Sequence, residues 1–324
     1  MTPTIDDVRA AAERIRPEAV RTPLLTNPAL DALVGGRVLL KCETLQRTGS
    51  FKFRGAYNAI AALSEAERAR GIVACSSGNH AQGVAAAAAL FGVPATIVMP
   101  DEAPQAKLDG TRRLGATVVT YRRADQDRDA MANAIVAETG ARLVHPYNDP
   151  MVIAGQGTIG LEIAEALAER GEQADAVLVP CGGGGMSAGI GLAIRALAPA
   201  TAVHLVEPED FDDYGRSLAV GTVLANPRSV GSVCDALMAA QPGAIGFAIN
   251  RQTAAGALSV SDDDALRAVA FAFRTLKLVV EPGGAVGLAA LLAGRFDARG
   301  RTVVVVLSGG NIDPAVLTKA LATG

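Results

Sequence analysis

The sequence predicts an α/β protein whose parallel strands are joined by crossover helices in doubly wound sheets, and three observations carry that reading. Short β-branched or aliphatic runs alternate with longer Ala-rich helical patterns, the order that strand–helix–strand units require. The runs are continuous Val, Ile, Leu and Ala instead of apolar-polar alternation, as in strands covered by helices on both faces. Many of the 35 glycines fall where a strand pattern gives way to a helix pattern, and at such turns open parallel sheets hold their ligands.

Along the chain, the first strand is expected over residues 37–41, and a polar turn at Thr48-Gly49-Ser50 leads on to a helix over 55–69. Strands at 71–75, 95–99 and 117–121 alternate with helices at 81–91, 106–114 and 128–139. A helix over 159–169 precedes a strand at 176–180, a helix at 186–197 and a strand at 202–206. The helix at 262–275 opens on Ser259-Val260-Ser261-Asp262, an N-cap cluster, and the last strand lies at 302–307. There is no Pro/Ser-rich linker, fixed-period repeat or low-complexity segment. The strand pattern suggests a small domain at 71–147 inserted into a larger one made of 1–70 and 148–324.

At 324 residues, 50% hydrophobic and 19% charged, the chain is neither disordered nor fibrous. Thirty Lys+Arg against 33 Asp+Glu give a net charge of -3, and no basic run exceeds Arg122-Arg123, so no nucleic-acid partner is expected. Cys42, Cys75, Cys181 and Cys234 lie far apart without metal-site spacing, as small buried residues in a reducing compartment would. The acidic start at Asp6-Asp7 does not suit a leader, and no apolar stretch is expected to approach the roughly 18 residues of a membrane span. A cytoplasmic protein with no membrane partner is expected.

The strongest local feature is Gly182-Gly183-Gly184-Gly185, between the strand Val177-Leu178-Val179-Pro180 and the helix that opens at Met186. Glycines let the backbone approach a ligand with several N–H groups free, and the helix N-terminus adds a positive dipole end; the junction reads as a phosphate cradle. Two other motifs overlap it. Glu207 imitates the ribose-binding acid of a dinucleotide site, although the glycines form no clean G-x-G-x-x-G. Gly185-Met186-Ser187-Ala188-Gly189 is a literal G-x-S-x-G, yet only His204 follows Ser187 and no Asp or Glu lies between them. A hydrolase triad in Ser–acid–His order cannot be assembled.

Lys52, one of five lysines, sits between Phe51 and Phe53 at a helix start. It is either a snorkelling surface residue or the desolvated, neutral amine that Schiff-base chemistry needs. Ser76-Ser77-Gly78-Asn79-His80 follows the 71–75 strand; its hydroxyls and helix-start N–H groups suit a carboxylate, or Ser77 or Asn79 is an ordinary helix cap. The acidic run Glu207-Pro208-Glu209-Asp210-Phe211-Asp212-Asp213 reads, by itself, as a solvated loop or a metal site.

Taken together, these segments resemble one family over nearly the whole chain: the pyridoxal-phosphate-dependent serine/threonine dehydratases and serine racemases, of fold type II. The carriers are Ser50-Phe51-Lys52-x-Arg54-Gly55-Ala56, the 76–80 segment, Gly155-Gln156-Gly157-Thr158, the 182–186 segment, Glu207-Pro208, Glu281-Pro282-Gly283-Gly284-Ala285 and Ser308-Gly309-Gly310-Asn311. The resemblance implies two open parallel-sheet domains with the cofactor in the cleft between them. It implies Lys52 as the covalent anchor, and backbone N–H groups of Gly182, Gly183, Gly184, Gly185 and Met186 as the phosphate site. Phe51 would pack on the ring, Asn79 would meet its 3-oxygen, Ser308 would face its nitrogen, and Glu281 would belong to the same cofactor site. A serine there cannot hold a full positive charge on the nitrogen, which weakens the electron sink and favours elimination.

By the same resemblance Ser76, Ser77, Gly78, Asn79 and His80 would receive the substrate carboxylate, Lys52 would take the Cα proton, and Ser77 would act on the opposite face, allowing racemisation. The implied activity is L-threonine/L-serine dehydration to a 2-oxo acid and ammonia. Serine racemase and 3-hydroxyaspartate dehydratase are neighbouring alternatives, the latter through Arg128; an NAD-binding oxidoreductase or a non-catalytic binding protein is more distant. Relatives also imply Mg²⁺ or Ca²⁺ on Glu207, Asp213 and the carbonyl of Phe211, where a small residue is more usual. They suggest a homodimer. The chain's end at Gly324 leaves no room for a regulatory domain, so a catabolic enzyme is expected.

Overall fold

The computed structural model describes residues 2–323 except 104 and 123. In chain order the elements are α1 (Ile5–Ile15), β1 (Leu24–Thr26), α2 (Pro28–Val34), β2 (Arg37–Cys42), α3 (Lys52–Ala61), α4 (Glu65–Ala69), β3 (Ile72–Cys75), α5 (Asn79–Phe91), β4 (Ala95–Pro100) and α6 (Gln105–Arg113). They continue with β5 (Thr117–Tyr121), α7 (Arg128–Thr139), β6 (Arg142–Leu143), α8 (Pro150–Arg170), β7 (Ala176–Pro180), α9 (Gly185–Leu197), β8 (Ala202–Pro208), α10 (Asp213–Val220) and α11 (Ala244–Thr253). The chain closes with β9 (Ala254–Val260), α12 (Asp262–Phe271), α13 (Pro282–Leu292), β10 (Thr302–Leu307) and α14 (Pro314–Ala322).

Two sheets result. The larger runs β1-β2-β10-β7-β8-β9, parallel except for β1 against β2. The smaller runs β5-β4-β3-β6 and is wholly parallel. Successive strand residues point to opposite faces: Val303, Val305 and Leu307 join Leu266 of α12 and Leu288 of α13 in one core, while Val304 and Val306 join Ile163 of α8 and Ile190 of α9 in another. Both faces of β10 are therefore dry, which is why its sequence is uninterrupted Val and Leu.

Helix boundaries differ from expectation in three places. The helix expected over 55–69 breaks at Ala61, because Ser64 and Glu67 form a capping box that starts α4 afresh. The helix expected from 159 begins at Pro150, capped by the Asp149 side chain. Its early turns are masked by glycines, poor helix formers, that serve close packing. A Cβ on Gly155 would stand 2.7 Å from the Arg54 carbonyl oxygen, and one on Gly157 would stand 2.9 Å from that of Gly189. The helix expected over 262–275 leaves the α-geometry after Phe271 and stops at Lys277, whose φ is +60°.

One expectation is corrected. Contrary to the view that no apolar stretch approaches membrane length, α8 has 21 residues and is apolar enough to cross one. Most of it is buried here against α1, α3 and α9, as the central helix of the core.

The sheets also set the position of the site. β7 and β10 are hydrogen-bonded neighbours, so their carboxyl ends release the glycine run and Ser308 side by side. In the smaller sheet, β3 releases residues 76–78 into α5. That helix packs on α3 so closely that a Cβ on Gly83 would lie 3.1 Å from the Lys52 carbonyl carbon.

Candidate active site

Lys52 opens α3. Its Nζ donates to the Pro146 carbonyl at 2.8 Å and stands 5.0 Å from the centre of the Phe51 ring. Burial lowers its pKa to about 8, against the opposing charge of Glu281. A neutral amine is thus accessible near physiological pH, unlike that of a surface lysine.

The glycine run is shaped by what it excludes. Gly184 has φ +83°, and a Cβ there would fall 1.8 Å from the Tyr214 hydroxyl oxygen; one on Gly183 would fall 2.2 Å from Cγ of Tyr147. No side chain caps α9, which begins at Gly185 and Met186, so its first N–H groups remain available to an anion. Ser187 is turned away from any nucleophilic role: its hydroxyl donates to the Gly184 carbonyl at 3.1 Å and receives Asn250 Nδ2 at 3.0 Å.

The 76–80 segment behaves similarly. Gly78 occupies the N-cap of α5 without a side-chain cap, so neither Ser77 nor Asn79 caps the helix. Ser76 Oγ accepts the Gly78 N–H at 3.2 Å. Asn79 Nδ2 donates to Glu281 Oε1 at 2.6 Å, and its Oδ1 accepts from Asn311 Nδ2 at 2.7 Å. Asn79 thereby ties α5 to the segments before α13 and after β10. Glu281 is buried and pushed up to about 7, chiefly by burial and then by Asp235, with Asn79 opposing. The His80 ring points inward, its Nε2 2.9 Å from the Val144 carbonyl, and burial followed by the charge of Lys52 lowers its pKa to about 3. Ser308 is buried, and its carbonyl accepts the Phe51 N–H at 3.1 Å.

Sequence reasoning gave no role to the buried ion cluster around Arg54, two residues on from Lys52 in α3. Arg54 Nε and Nη2 bond Glu43 at 2.8 and 2.9 Å, while its Nη1 and Nη2 bond Glu162 at 2.6 and 2.9 Å. Lys41 also pairs with Glu162, and Thr22 with Glu43. The segment His145-Pro146-Tyr147 was missed as well. The signal for the cluster was a second cation, Arg54, within the first turn of a helix that then runs nearly apolar.

The acidic segment is divided. Both oxygens of Glu207 are used at the start of α10, accepting the N–H groups of Tyr214 and Gly215 at 2.8 Å each. Asp213 Oδ1 accepts from Asn226 Nδ2 at 2.6 Å, whereas its Oδ2 is buried without a partner. Burial, the first cause for each, raises Glu207 to about 8 and Asp213 to about 6. Phe211 is fully buried with Arg228 over its ring. Among the described residues no group of three or more His, Cys, Asp or Glu converges on a point. Of the expected cation ligands, only Asp213 presents a buried oxygen without a partner, since both oxygens of Glu207 are engaged. Because Glu207 is committed to α10, it does not complete a dinucleotide site.

An amine with a depressed pKa, an uncapped glycine run and a second uncapped helix start are thus neighbours: Pro146 bonds Lys52, Tyr147 packs on the glycine run, and α5 packs on α3. A family model for pyridoxal-phosphate dependent enzymes matches residues 15–309. The chain belongs to that family. It is 44% identical over 307 residues to the L-threo-3-hydroxyaspartate ammonia-lyase of a Pseudomonas species, covering 95% of each chain. Among solved structures it matches a T.th. threonine deaminase with TM-score 0.91 and 45% identity, over 96% of this chain and 99% of that one. Maize serine racemase matches with TM-score 0.92 and 35% identity, over 99% and 98%. The fold-type-II architecture expected from the sequence is the one observed.

Proposed function

We propose that this enzyme is a hydroxy-amino-acid ammonia-lyase acting on L-threonine and L-serine. The observation that carries the reading is the Lys52 amine, lowered to about 8 and hydrogen-bonded to Pro146, beside two helix starts that no side chain caps. Pyridoxal phosphate, when bound, supplies an aldehyde that condenses with amines and a ring that acidifies the substrate Cα–H. Lys52 would anchor it, Gly182, Gly183, Gly184, Gly185 and Met186 would hold its phosphate, and Phe51, Asn79, Glu281 and Ser308 would surround its ring.

The chain's own residues account for the rest. N–H groups at the start of α5, with Ser76 and Ser77, take the substrate carboxylate. The neutral fraction of Lys52 accepts the Cα proton, and this balances the proton that the β-hydroxyl gains on departing as water. The released enamine hydrolyses to a 2-oxo acid and ammonia. Ser77 supplies a proton on the other face as a minor racemase route.

Residues 71–147 act as the small substrate-binding domain and 1–70 with 148–324 as the large cofactor-binding domain. Asp213, Glu207 and the Phe211 carbonyl take Mg²⁺ or Ca²⁺. The four buried free cysteines fit a reducing, cytoplasmic setting, and a homodimer is the expected assembly. A second reading, 3-hydroxyaspartate as preferred substrate, is favoured by Arg128 at the start of α7, whose charge acts on both His145 and Tyr147 beside the glycine run.

The test is release of 2-oxo acid from L-serine, L-threonine, their D-isomers and L-threo-3-hydroxyaspartate by wild type and Arg128→Ala. Release from L-threonine and L-serine that survives Arg128→Ala supports the first reading. Dominant release from hydroxyaspartate that falls about tenfold or more supports the second. No release from any of them refutes both.

A further inference from the structure

We propose that His145 is a positioning residue: its Nδ1 shapes the link between β6 and α8 so that the Pro146 carbonyl meets Lys52 and the Tyr147 ring closes on the glycine run. This rests on the pyridoxal-phosphate reading of that site. The link is pinned at each end. Val144 contributes its carbonyl to His80 Nε2 at 2.9 Å, and Asp149 Oδ1 caps α8 through the N–H groups of Met151 and Val152 at 2.8 and 3.2 Å. Between these ends, His145 Nδ1 accepts two backbone N–H groups, from Asn148 at 2.9 Å and Tyr147 at 3.3 Å. The imidazole stands edge-on to the Tyr147 ring, centroids 4.6 Å apart.

The turn held this way serves three neighbours. Pro146 accepts from Lys52 Nζ at 2.8 Å. Tyr147 lies so close to the run that a Cβ on Gly183 would meet its ring at 2.2 Å, and one on Gly185 would meet its carbonyl oxygen at 2.7 Å. Asn148 Oδ1 accepts the Ile245 N–H at 3.0 Å at the start of α11, next to Gly243, whose N–H donates to the Gly183 carbonyl at 3.1 Å. One acceptor nitrogen thus orders contacts to both the anchoring amine and the phosphate cradle.

Nδ1 accepts only while it carries no proton, because an imidazolium has two donors and no acceptor. Burial lowers the His145 pKa, as do Lys52 on α3 and Arg128 on α7, while Asp129 on α7 and Asp149 at the end of the link oppose them; His80 on α5 also feels its charge. The neutral form therefore prevails at neutral pH, and acid would turn two attractive contacts into repulsive ones. Asparagine places an acceptor oxygen at comparable reach and makes the same bonds to N–H groups two and three residues on.

The experiment compares wild-type holoenzyme with His145→Asn and His145→Phe. Cofactor dissociation is followed by equilibrium dialysis and absorbance from pH 5 to 8, with a thermal melt of each protein. Loss of two hydrogen bonds in His145→Phe predicts cofactor affinity about tenfold weaker at pH 7.5, while His145→Asn stays within about threefold of wild type. Both proteins lose affinity on the acid side as Lys52 and Glu281 titrate, but wild type loses at least about threefold more than His145→Asn by pH 5, the step that protonation of His145 adds. A His145→Phe protein that holds the cofactor as tightly as wild type, or a His145→Asn protein with the wild-type acid loss, overturns the proposal. If His145→Phe fails to fold, the His145→Asn pH profile decides. Wild type that takes up no pyridoxal phosphate refutes instead the site reading beneath it.

Discussion

Replacing Arg54 by methionine removes the guanidinium that bridges two carboxylates, Glu43 and Glu162. Arg54 and Glu43 are fully buried, and Arg54 makes two bonds to Glu43 and two to Glu162 at 2.6 to 2.9 Å. Without it Glu43 keeps the Thr22 hydroxyl and the more distant charge of Lys41. Breaking a buried pair by removing one partner costs about 3–5 kcal/mol, because the remaining charge stays desolvated. That is a large part of the roughly 5–15 kcal/mol available to a folded protein.

Burial alone would raise Glu43, but Arg54 and then Lys41 outweigh it and hold it below the ordinary carboxylate range. Its contribution is therefore present above the unfolded-state pKa, near ~4.3, and lost as pH falls through the lower folded-state value. In Arg54→Met the sign reverses. Glu43 rises above ~4.3, so the variant's deficit shrinks as the pH is taken from 7 towards 5. Urea unfolding at both pH values, with Glu43→Gln and the double variant to close the cycle, measures this. A single-variant loss below about 1 kcal/mol, or strict additivity in the cycle, would refute the reasoning.

Three further outcomes are expected. Gly184→Ala, strained at φ +83° and colliding with Tyr214, should weaken cofactor retention at least about tenfold in a spectrophotometric titration; wild-type retention would contradict the close-packed cradle. Mg²⁺ should raise the melting temperature of wild type but not of Asp213→Asn, and an equal response would place the cation elsewhere. Glu281 sits near 7 instead of its unfolded value, so cofactor-free wild type should lose up to about 3 kcal/mol of stability between pH 4.5 and 7. Glu281→Gln should lack that slope; an unchanged slope would assign it to other groups.

The larger sheet was legible because both faces of its strands are covered, leaving runs such as Val303 to Leu307 uniformly apolar. The glycine run stood out because four glycines at a strand-to-helix junction are chemically odd, whereas Lys52 by itself read equally as a surface lysine and was singled out by the family resemblance. The Arg54 cluster was not, since its partners lie 11 and 108 residues away and the sequence carries no trace of the pairing. Tyr147 was hidden for the same reason, since its contact with Gly183 joins residues 36 positions apart. The first half of α8 was hidden by glycines selected for helix crossing at the expense of helix propensity.

Lys52 is proposed to carry the cofactor. Borohydride treatment of the coloured holoenzyme, followed by peptide mass spectrometry, tests it directly. A reduced pyridoxyl group is expected on the peptide containing Lys52, and none in Lys52→Ala. A label on any other lysine, or a colour that resists reduction, would contradict it.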